Sequence, residues 1–327
     1  MNSNDIPGAQ QAWHSTTSSR RHCLVTITDD GFVAGTQMLL FTFLRYNPWF
    51  RGTVVVIVGG ELGAAARARL QALTPICFVE PGADLVHRVA QLTRALPGLR
   101  VAGPRFASLE AFGMDAFDRV VYIDSDAFVT GDLSRLFMTD EPLLCCGDGS
   151  HYDALLGDPE AALQANRRRY GKALSTCFNA GMISIGRACL ARALRDELVG
   201  LIDPQTWRDV ETLGWTDQLI LNRRFAGFAT LLDARYNYMP ILEARIRKAD
   251  GLSFCDARVI HMAGRDKPWE TPSTERPPSV AKFHELWQQL SELMPGQDAR
   301  ASEERLALES AQMHSLMQPR TEIEASS

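Results

Sequence analysis

The stretch VVYIDSDAFVTG, residues 120–131, ends an apolar run on two carboxylates, Asp124 and Asp126, with Ser125 between them. In an extended chain, residues i and i+2 point to the same side, so both carboxylates face one point beyond the strand's carboxyl end. Two like charges there repel unless something cationic lies between them. A divalent metal is one answer; aspartates that cap the strand end by accepting backbone N–H groups are the other. The residues alone leave both open, since D-x-D is a short pattern.

Upstream of this strand, strand-like runs alternate with helical periods: HCLVTIT, a helix near 33–46, GTVVVIV, a helix near 61–73, and PICFVE. That rhythm predicts an α/β fold with a mostly parallel sheet covered by helices on both faces. FASLEAFGMDAF reads as an amphipathic helix feeding the D-x-D strand, and Asp132 as the cap of a short helix DLSRLF. Ligands of open α/β sheets bind beyond the carboxyl ends of the strands, so TITDD and DSD are candidates for one crevice. The second half is less regular. LLCCGD, MISIG, TLLDARYNYMP and ARVIHM read as strands, HYDALLGDPEAALQANRRRYGKAL as a helical insertion, and AKFHELWQQLSEL as a late helix. One domain over 22–275 is expected, followed by a helix over 276–295, with a disordered tail at 1–21 and a loose polar tail at 296–327.

With 327 residues, 46% of them hydrophobic, the chain can bury a large core. Its net charge of -5, with no Lys/Arg-rich block, argues against nucleic acid as partner. The seven cysteines form no C-x-x-C pair, which suggests buried thiols in a reducing compartment. VAGTQMLLFTFL, the most apolar segment, is too short to span a bilayer, and the first 21 residues lack the apolar core of a signal peptide. A soluble, cytoplasmic protein with no transmembrane segment is expected.

Taken in order, TITDDGF, FASLEAF, VVYIDSD, CFNAG, TDQLILN, RYNYMP and HMAGRDKPW resemble glycosyltransferase family 8, the retaining transferases that include glycogenin and bacterial lipopolysaccharide α-galactosyltransferases. The resemblance covers roughly residues 22–270 and rests on the ordered set, with H-x-x-G-x-x-K-P-W its most specific piece. It implies a GT-A fold, a divalent cation, usually Mn2+, and a UDP-sugar donor, UDP-glucose or UDP-galactose. It makes Asp124, Asp126 and His261 the metal ligands, a donor set that suits a borderline divalent ion. It gives Lys267 the diphosphate, with Gly264 at the turn before it, and gives Thr28, Asp29 and Phe32 the uridine pocket. Ser125, Asp148 and Asn179 fall to the donor, and Asp217 and Gln218 to the reacting sugar, with Gln218 on the face opposite the leaving group. Ser108 stands where the family usually carries a basic residue, and Arg105, three residues earlier, could share its helix face.

Each position also has a structural reading. His261 could be a core histidine, Asn179 could close a turn, Lys267 could be a solvated charge like its neighbours Arg265 and Asp266, and Asp217 could cap a helix. Trp215 and Trp269 read as packing residues, and Arg167–Arg169 as a solvated face. Two other functions compete. A haloacid-dehalogenase-like phosphatase also uses D-x-D, but needs Thr or Val where this chain has Phe128. A non-catalytic nucleotide-sugar binder is the alternative that the Ser108 departure raises. The acceptor has no motif. After Trp269 the chain carries 5 Lys/Arg against 10 Asp/Glu, which favours a soluble acceptor over a lipid-linked one.

Overall fold

In the computed structural model, described over residues 20–208, 210, 216–264, 266–270 and 278–294, the strand of VVYID lies at the centre of a seven-stranded sheet. The chain runs β1 (His22–Thr28), α1 (Val33–Tyr46), β2 (Thr53–Val58), α2 (Ala64–Gln71), β3 (Cys77–Val79), α3 (Ala83–Ala95), a 3₁₀ run Pro97–Gly113, and β4 (Arg119–Ile123). It continues through β5 (Ala127–Val129), α4 (Ser134–Phe137), β6 (Leu143–Gly147), α5 (Gly149–Leu156), α6 (Pro159–Tyr170), β7 (Phe178–Gly186) and α7 (Arg192–Gly200). It ends with α8 (Asp217–Phe225), β8 (Thr230–Leu232), α9 (Glu243–Asp250), β9 (Val259–His261) and α10 (Pro278–Glu292).

The sheet order is β3-β2-β1-β4-β7-β6-β8. From β3 to β4 every pair is parallel; β7 runs antiparallel to both β4 and β6, and β8 pairs parallel with β6. The sheet is therefore mixed and mostly parallel. Its apolar runs are continuous because both faces are covered. Cys23, Val25, Val55, Ile57, Val120 and Tyr122 pack into one hydrophobic cluster, while Leu24, Val54, Val56, Val121 and Ile123 pack into another. Alternate residues of each strand thus serve opposite layers, and each fully buried Val or Ile contributes roughly 1.5–3 kcal/mol.

A separate antiparallel pair, β5 with β9, sets Ala127 opposite His261. Helix α1 holds this pair, since Thr42 Oγ1 accepts the N–H of Val129 at 2.9 Å, and Asn47 at the helix's end holds the chain after it by accepting the N–H of Leu133 at 2.7 Å.

Some expectations are corrected. FASLEAF sits in 3₁₀ turns rather than an α-helix; Pro104 within the run cannot donate an N–H. TLLDARYNYMP forms a strand only over Thr230–Leu232, because Asp233 then accepts the N–H of Arg235 and starts a 3₁₀ turn. The helical insertion is two helices, α5 and α6, and α3, α7 and α9 lie where no helix was read. All seven cysteines are free; six are buried, and Cys255 is exposed. Among the described residues, no helix is long and apolar enough to cross a membrane. The tail expected at 296–327, all but the last two residues of that at 1–21, Trp215 and Arg265 lie outside the described residues.

Candidate active site

Three backbone bonds assemble the acidic cluster. Asp124 N–H donates to Gly181 O at 2.9 Å, tying the end of β4 to β7. Asp126 O accepts from Met262 N at 2.9 Å, which extends the β5–β9 ladder onto Asp126, and Tyr238 O accepts from His261 N at 2.9 Å on the other side of β9. The carboxylates of Asp124 and Asp126 and the ring of His261 consequently converge, with one ligand atom from each lying within 4.8 Å of the others. His261 Nε2 is 3.2 Å from Asp126 Oδ1 and 3.6 Å from Asp124 Oδ2. Capping of backbone N–H groups, the alternative reading of D-S-D, does not account for this convergence across 137 residues of chain.

Tyr122, two residues before Asp124 on the same side of the strand, donates its phenol to Asp124 Oδ1 at 2.5 Å. The i, i+2 rule that grouped the aspartates also reaches this tyrosine, which the sequence reading did not single out. Burial and the charge of Asp126 raise Asp124 to about 6, against the His261 charge and the Tyr122 hydrogen bond. Burial alone would raise Asp126 too, but His261 and Lys267 outweigh it and hold that carboxyl below the ordinary range. Burial would lower His261, yet the Asp126 charge turns the shift upward.

Lys267 is buried, its Nζ 2.5 Å from Asp126 Oδ2 and 2.9 Å from Met262 O, and it stands 5.9 Å above the Phe32 ring. A solvated surface charge is excluded. Gly264, just before it, has φ +121°, a conformation that favours glycine, and the space a Cβ would enter is open, so the requirement is in the backbone. Trp269 sets its ring edge against Phe32 at 5.6 Å and donates Nε1–H to Gly31 O at 3.1 Å, a packing role as expected. At the end of β1, Asp29 Oδ1 accepts the N–H groups of Gly31 and Phe32, shaping the turn into α1. Thr28 is buried and accepts from Thr36 Oγ1 at 2.7 Å. The Ser125 carbonyl rests against Gly35 of α1, where any Cβ would collide with it.

On the other side of the cluster, α8 is stapled to β7 by Asn222, which accepts Phe178 N–H at 2.9 Å and donates to Phe178 O at 2.8 Å. That brings Gln218 beside Asn179: Gln218 Oε1 accepts from Asn179 Nδ2 at 3.0 Å and from Ala180 N at 3.3 Å. Both lone pairs of the carbonyl are taken, so a direct contact with an anomeric carbon requires one of these bonds to be given up. Gln218 Nε2 donates to Tyr170 Oη at 3.0 Å and to Asp148 Oδ2 at 3.3 Å. Asp148 is buried and fully engaged, since Oδ1 caps α5 through Ser150 and His151 N–H, and Oδ2 also accepts the Tyr170 phenol at 2.5 Å. Its visible work is to hold Gln218 and the helix. Asp217 does not cap α8; Oδ2 accepts from Ser108 Oγ at 2.7 Å and Oδ1 from Thr216 Oγ1 at 3.0 Å. Burial raises Asp217 above its ordinary value, against these hydroxyls and the positive field of exposed Arg105. Ser108 therefore faces Asp217 directly, and Arg105 acts on the same carboxyl from a distance. Tyr170, and Asn237, whose side chain meets His261 Nδ1 at 2.9 Å, were missed in sequence, because their partners lie far away along the chain.

A family model described as Glycosyl transferase family 8 matches residues 104–272. Glycosyltransferase GlyF of Streptococcus pneumoniae serotype 4 is 31% identical over 173 residues, 52% of this chain and 37% of the relative. Glycosyltransferase GlyE of the same organism is 28% identical over 181 residues, 53% of this chain and again 37% of the relative. The chain thus matches little more than a third of the length of these curated relatives. Among solved structures, galactosyltransferase LgtC in complex with donor and acceptor sugar analogues overlays with a TM-score of 0.60 at 20% identity, covering 86% of this chain and 98% of that one. The apo form of GlyE overlays with a TM-score of 0.56 at 18% identity, covering 90% and 63% respectively.

Proposed function

Because the chain belongs to glycosyl transferase family 8 and has the GT-A fold, we propose that it is a metal-dependent, retaining hexosyltransferase that moves glucose or galactose from a UDP-sugar to an acceptor hydroxyl. The observation that carries this reading is the convergence of Asp124, Asp126 and His261 at the carboxyl end of β4, beside a buried lysine. Two carboxylates and an imidazole whose other nitrogen is hydrogen-bonded fit a borderline divalent ion. Bound there, Mn2+ or a similar ion supplies Lewis-acid neutralisation of charge on the departing diphosphate.

The protein's own groups do the rest. Thr28 at the end of β1 and Asp29 and Phe32 in the turn after it receive the uridine, with Phe32 offering its ring. Lys267 exchanges Asp126 Oδ2 for a diphosphate oxygen, acting as a point charge within reach of the same cleft. Ser125 and Asn179 border the donor, and Asp217 orients sugar hydroxyls from a carboxyl already aligned by Ser108 and Thr216. Asp148 contributes by fixing the Gln218 amide. Gln218 is neutral and a poor nucleophile, which favours departure and attack on the same face over a covalent sugar. The acceptor is the least constrained part, and a soluble one is favoured by the acidic balance after Trp269.

The test is UDP release from UDP-glucose and UDP-galactose with Mn2+, water serving as default acceptor. Turnover is expected in the intact protein and none in Asp126→Asn. Tight UDP-sugar binding without any UDP release would instead identify a nucleotide-sugar binder.

A further inference from the structure

Asn237 has no part in the assignments above, yet its side chain joins their two halves. It ends the 3₁₀ turn Ala234–Tyr236, which is closed by its backbone N–H on Ala234 O, so the turn does not need the amide. The residue is 1% exposed, and the amide lies 2.9 Å from His261 Nδ1 on one side and 2.9 Å from Asn179 Oδ1 on the other.

The direction of these bonds follows from a backbone group that cannot be reversed. Gly181 N–H donates to the Asn179 side chain at 2.9 Å, so the atom there is the oxygen. The atom of Asn237 that meets the same oxygen must then be its NH₂, and its own oxygen is left facing the histidine. An oxygen in that position accepts the proton of Nδ1, which leaves Nε2 turned toward Asp124 and Asp126. At the far end, Ala180 N–H fixes the Gln218 oxygen in the same way. A single run of oriented amides therefore links His261, Asn237, Asn179 and Gln218.

We infer that Asn237 is a positioning residue that holds the His261 ring with Nε2 presented for a metal ion and couples that ring to the Asn179–Gln218 amides of the sugar pocket. The inference rests on the reading of Asp124, Asp126 and His261 as metal ligands. Groups that hold the second nitrogen of a ligating histidine commonly carry a 10- to 100-fold effect on metal affinity.

Calorimetric titration with Mn2+, without nucleotide, separates the two bonds. Asn237→Ala removes both and should weaken Mn2+ binding by about 10- to 100-fold. Asn237→Asp retains an acceptor for Nδ1–H but cannot donate to Asn179. It should bind Mn2+ within roughly threefold of the wild type or more tightly, while UDP release from UDP-sugar slows. Loss in Ala with rescue in Asp is a pattern that missing packing alone does not produce. If Asn237→Ala fails to fold, Asn237→Leu, similar in shape and unable to hydrogen-bond, takes its place and is read identically. Full Mn2+ affinity in the Ala variant, when His261→Ala has lost it, overturns the inference; so does an Asp variant as weak as the Ala variant. Full affinity in His261→Ala removes the metal reading itself, and this inference with it.

Discussion

Asp124 and Asp126 stand two residues apart and titrate in opposite directions, because Asp126 has both Lys267 and the nearer contact with His261, whereas at Asp124 burial and the Asp126 charge outweigh His261. Without metal, Asp124 sits at about 6, raised by burial and by the Asp126 charge, whereas His261 and Lys267 hold Asp126 low. The signs give a pH dependence. Asp124 must lose a proton to ligate, and His261, raised by the Asp126 charge, must do the same at Nε2. Mn2+ affinity should therefore fall by roughly 10-fold or more between about pH 7.5 and about pH 5, since protons compete for the ligands. The stability contribution of Asp124 in the metal-free protein has the same origin: it is present below the unfolded value of 3.8 and lost as pH rises through about 6. Asp126 works the other way, stabilising above its unfolded value and ceasing to do so only as pH falls through its depressed folded value. Mn2+ should thus raise the melting temperature more at pH 7.5 than at pH 5. Equal shifts at the two pH values would mean that Asp124 is not the group being relieved. Spacing alone put these aspartates on one side of the strand, and Tyr122 with them, but left metal binding and capping both open. Asn237 could not be read from spacing, because its place in RYNYMP says nothing of a histidine 24 residues later; only the β9 bridge to Tyr238 brings the two together.

At the level of elements, the site depends on how closely β7 approaches β9. Gly181 makes that approach feasible: a Cβ there would overlap His261 Cε1 and stand 2.6 Å from its Nδ1 and 2.8 Å from Asn179 Oδ1. His261 is held by its strand, by Asn237 and by burial, so the ring cannot yield cheaply. Gly181→Ala should cost about 1–3 kcal/mol in urea unfolding, as overpacking does, and should abolish Mn2+-stimulated UDP binding in calorimetry. Wild-type binding in that variant would show that the ring is free to move. The same dependence on contacts decides which elements sequence could reveal. β1, α1, β2 and β4 were readable because both faces of the sheet are buried and their apolar runs are long. Helix α9, EARIRKAD, was not, since among its residues only Glu243 and Ile246 are buried and its apolar signal is nearly absent. Of the β5–β9 pair, three residues a side, β9 was legible within ARVIHM, but its pairing with β5, which brings the acidic cluster together, was not.

Across the whole molecule, the acidic cluster and the structural anchoring are carried by different charges. The cluster gathers two acids at the carboxyl end of β4 whose partners, His261, Lys267 and the Tyr122 phenol, all lie around one point. Elsewhere, Arg195 of α7 closes its own charge inside the fold: it donates to Glu110 Oε1 at 2.5 Å and Oε2 at 2.9 Å, and also pairs with Asp84 of α3. Its side chain is 9% exposed and that of Glu110 14%, while Asp84 is 55% exposed. Burial would lower the arginine, but the carboxylates outweigh it and raise it. Glu110 also accepts Gly82 N–H at 2.8 Å, so this one guanidinium ties α7, the 3₁₀ run that bears Ser108 and the turn opening α3. Removing it leaves Glu110 charged in a largely dry setting. Arg195→Ala should lower unfolding free energy by about 3 kcal/mol, the scale of a buried pair broken from one side, with most of that owed to Glu110 because water screens Asp84. Arg195→Ala combined with Glu110→Gln should recover part of the loss, since the stranded charge is gone. Neither protein should differ from wild type in Mn2+-stimulated UDP binding at temperatures where both are folded, because Arg195 shares no hydrogen bond with the cluster. A loss below about 1 kcal/mol, the value of an exposed pair, would place the network at the surface in energetic terms. A loss of UDP binding in the folded single variant would instead mean that the 3₁₀ run transmits its position to Ser108 and Asp217.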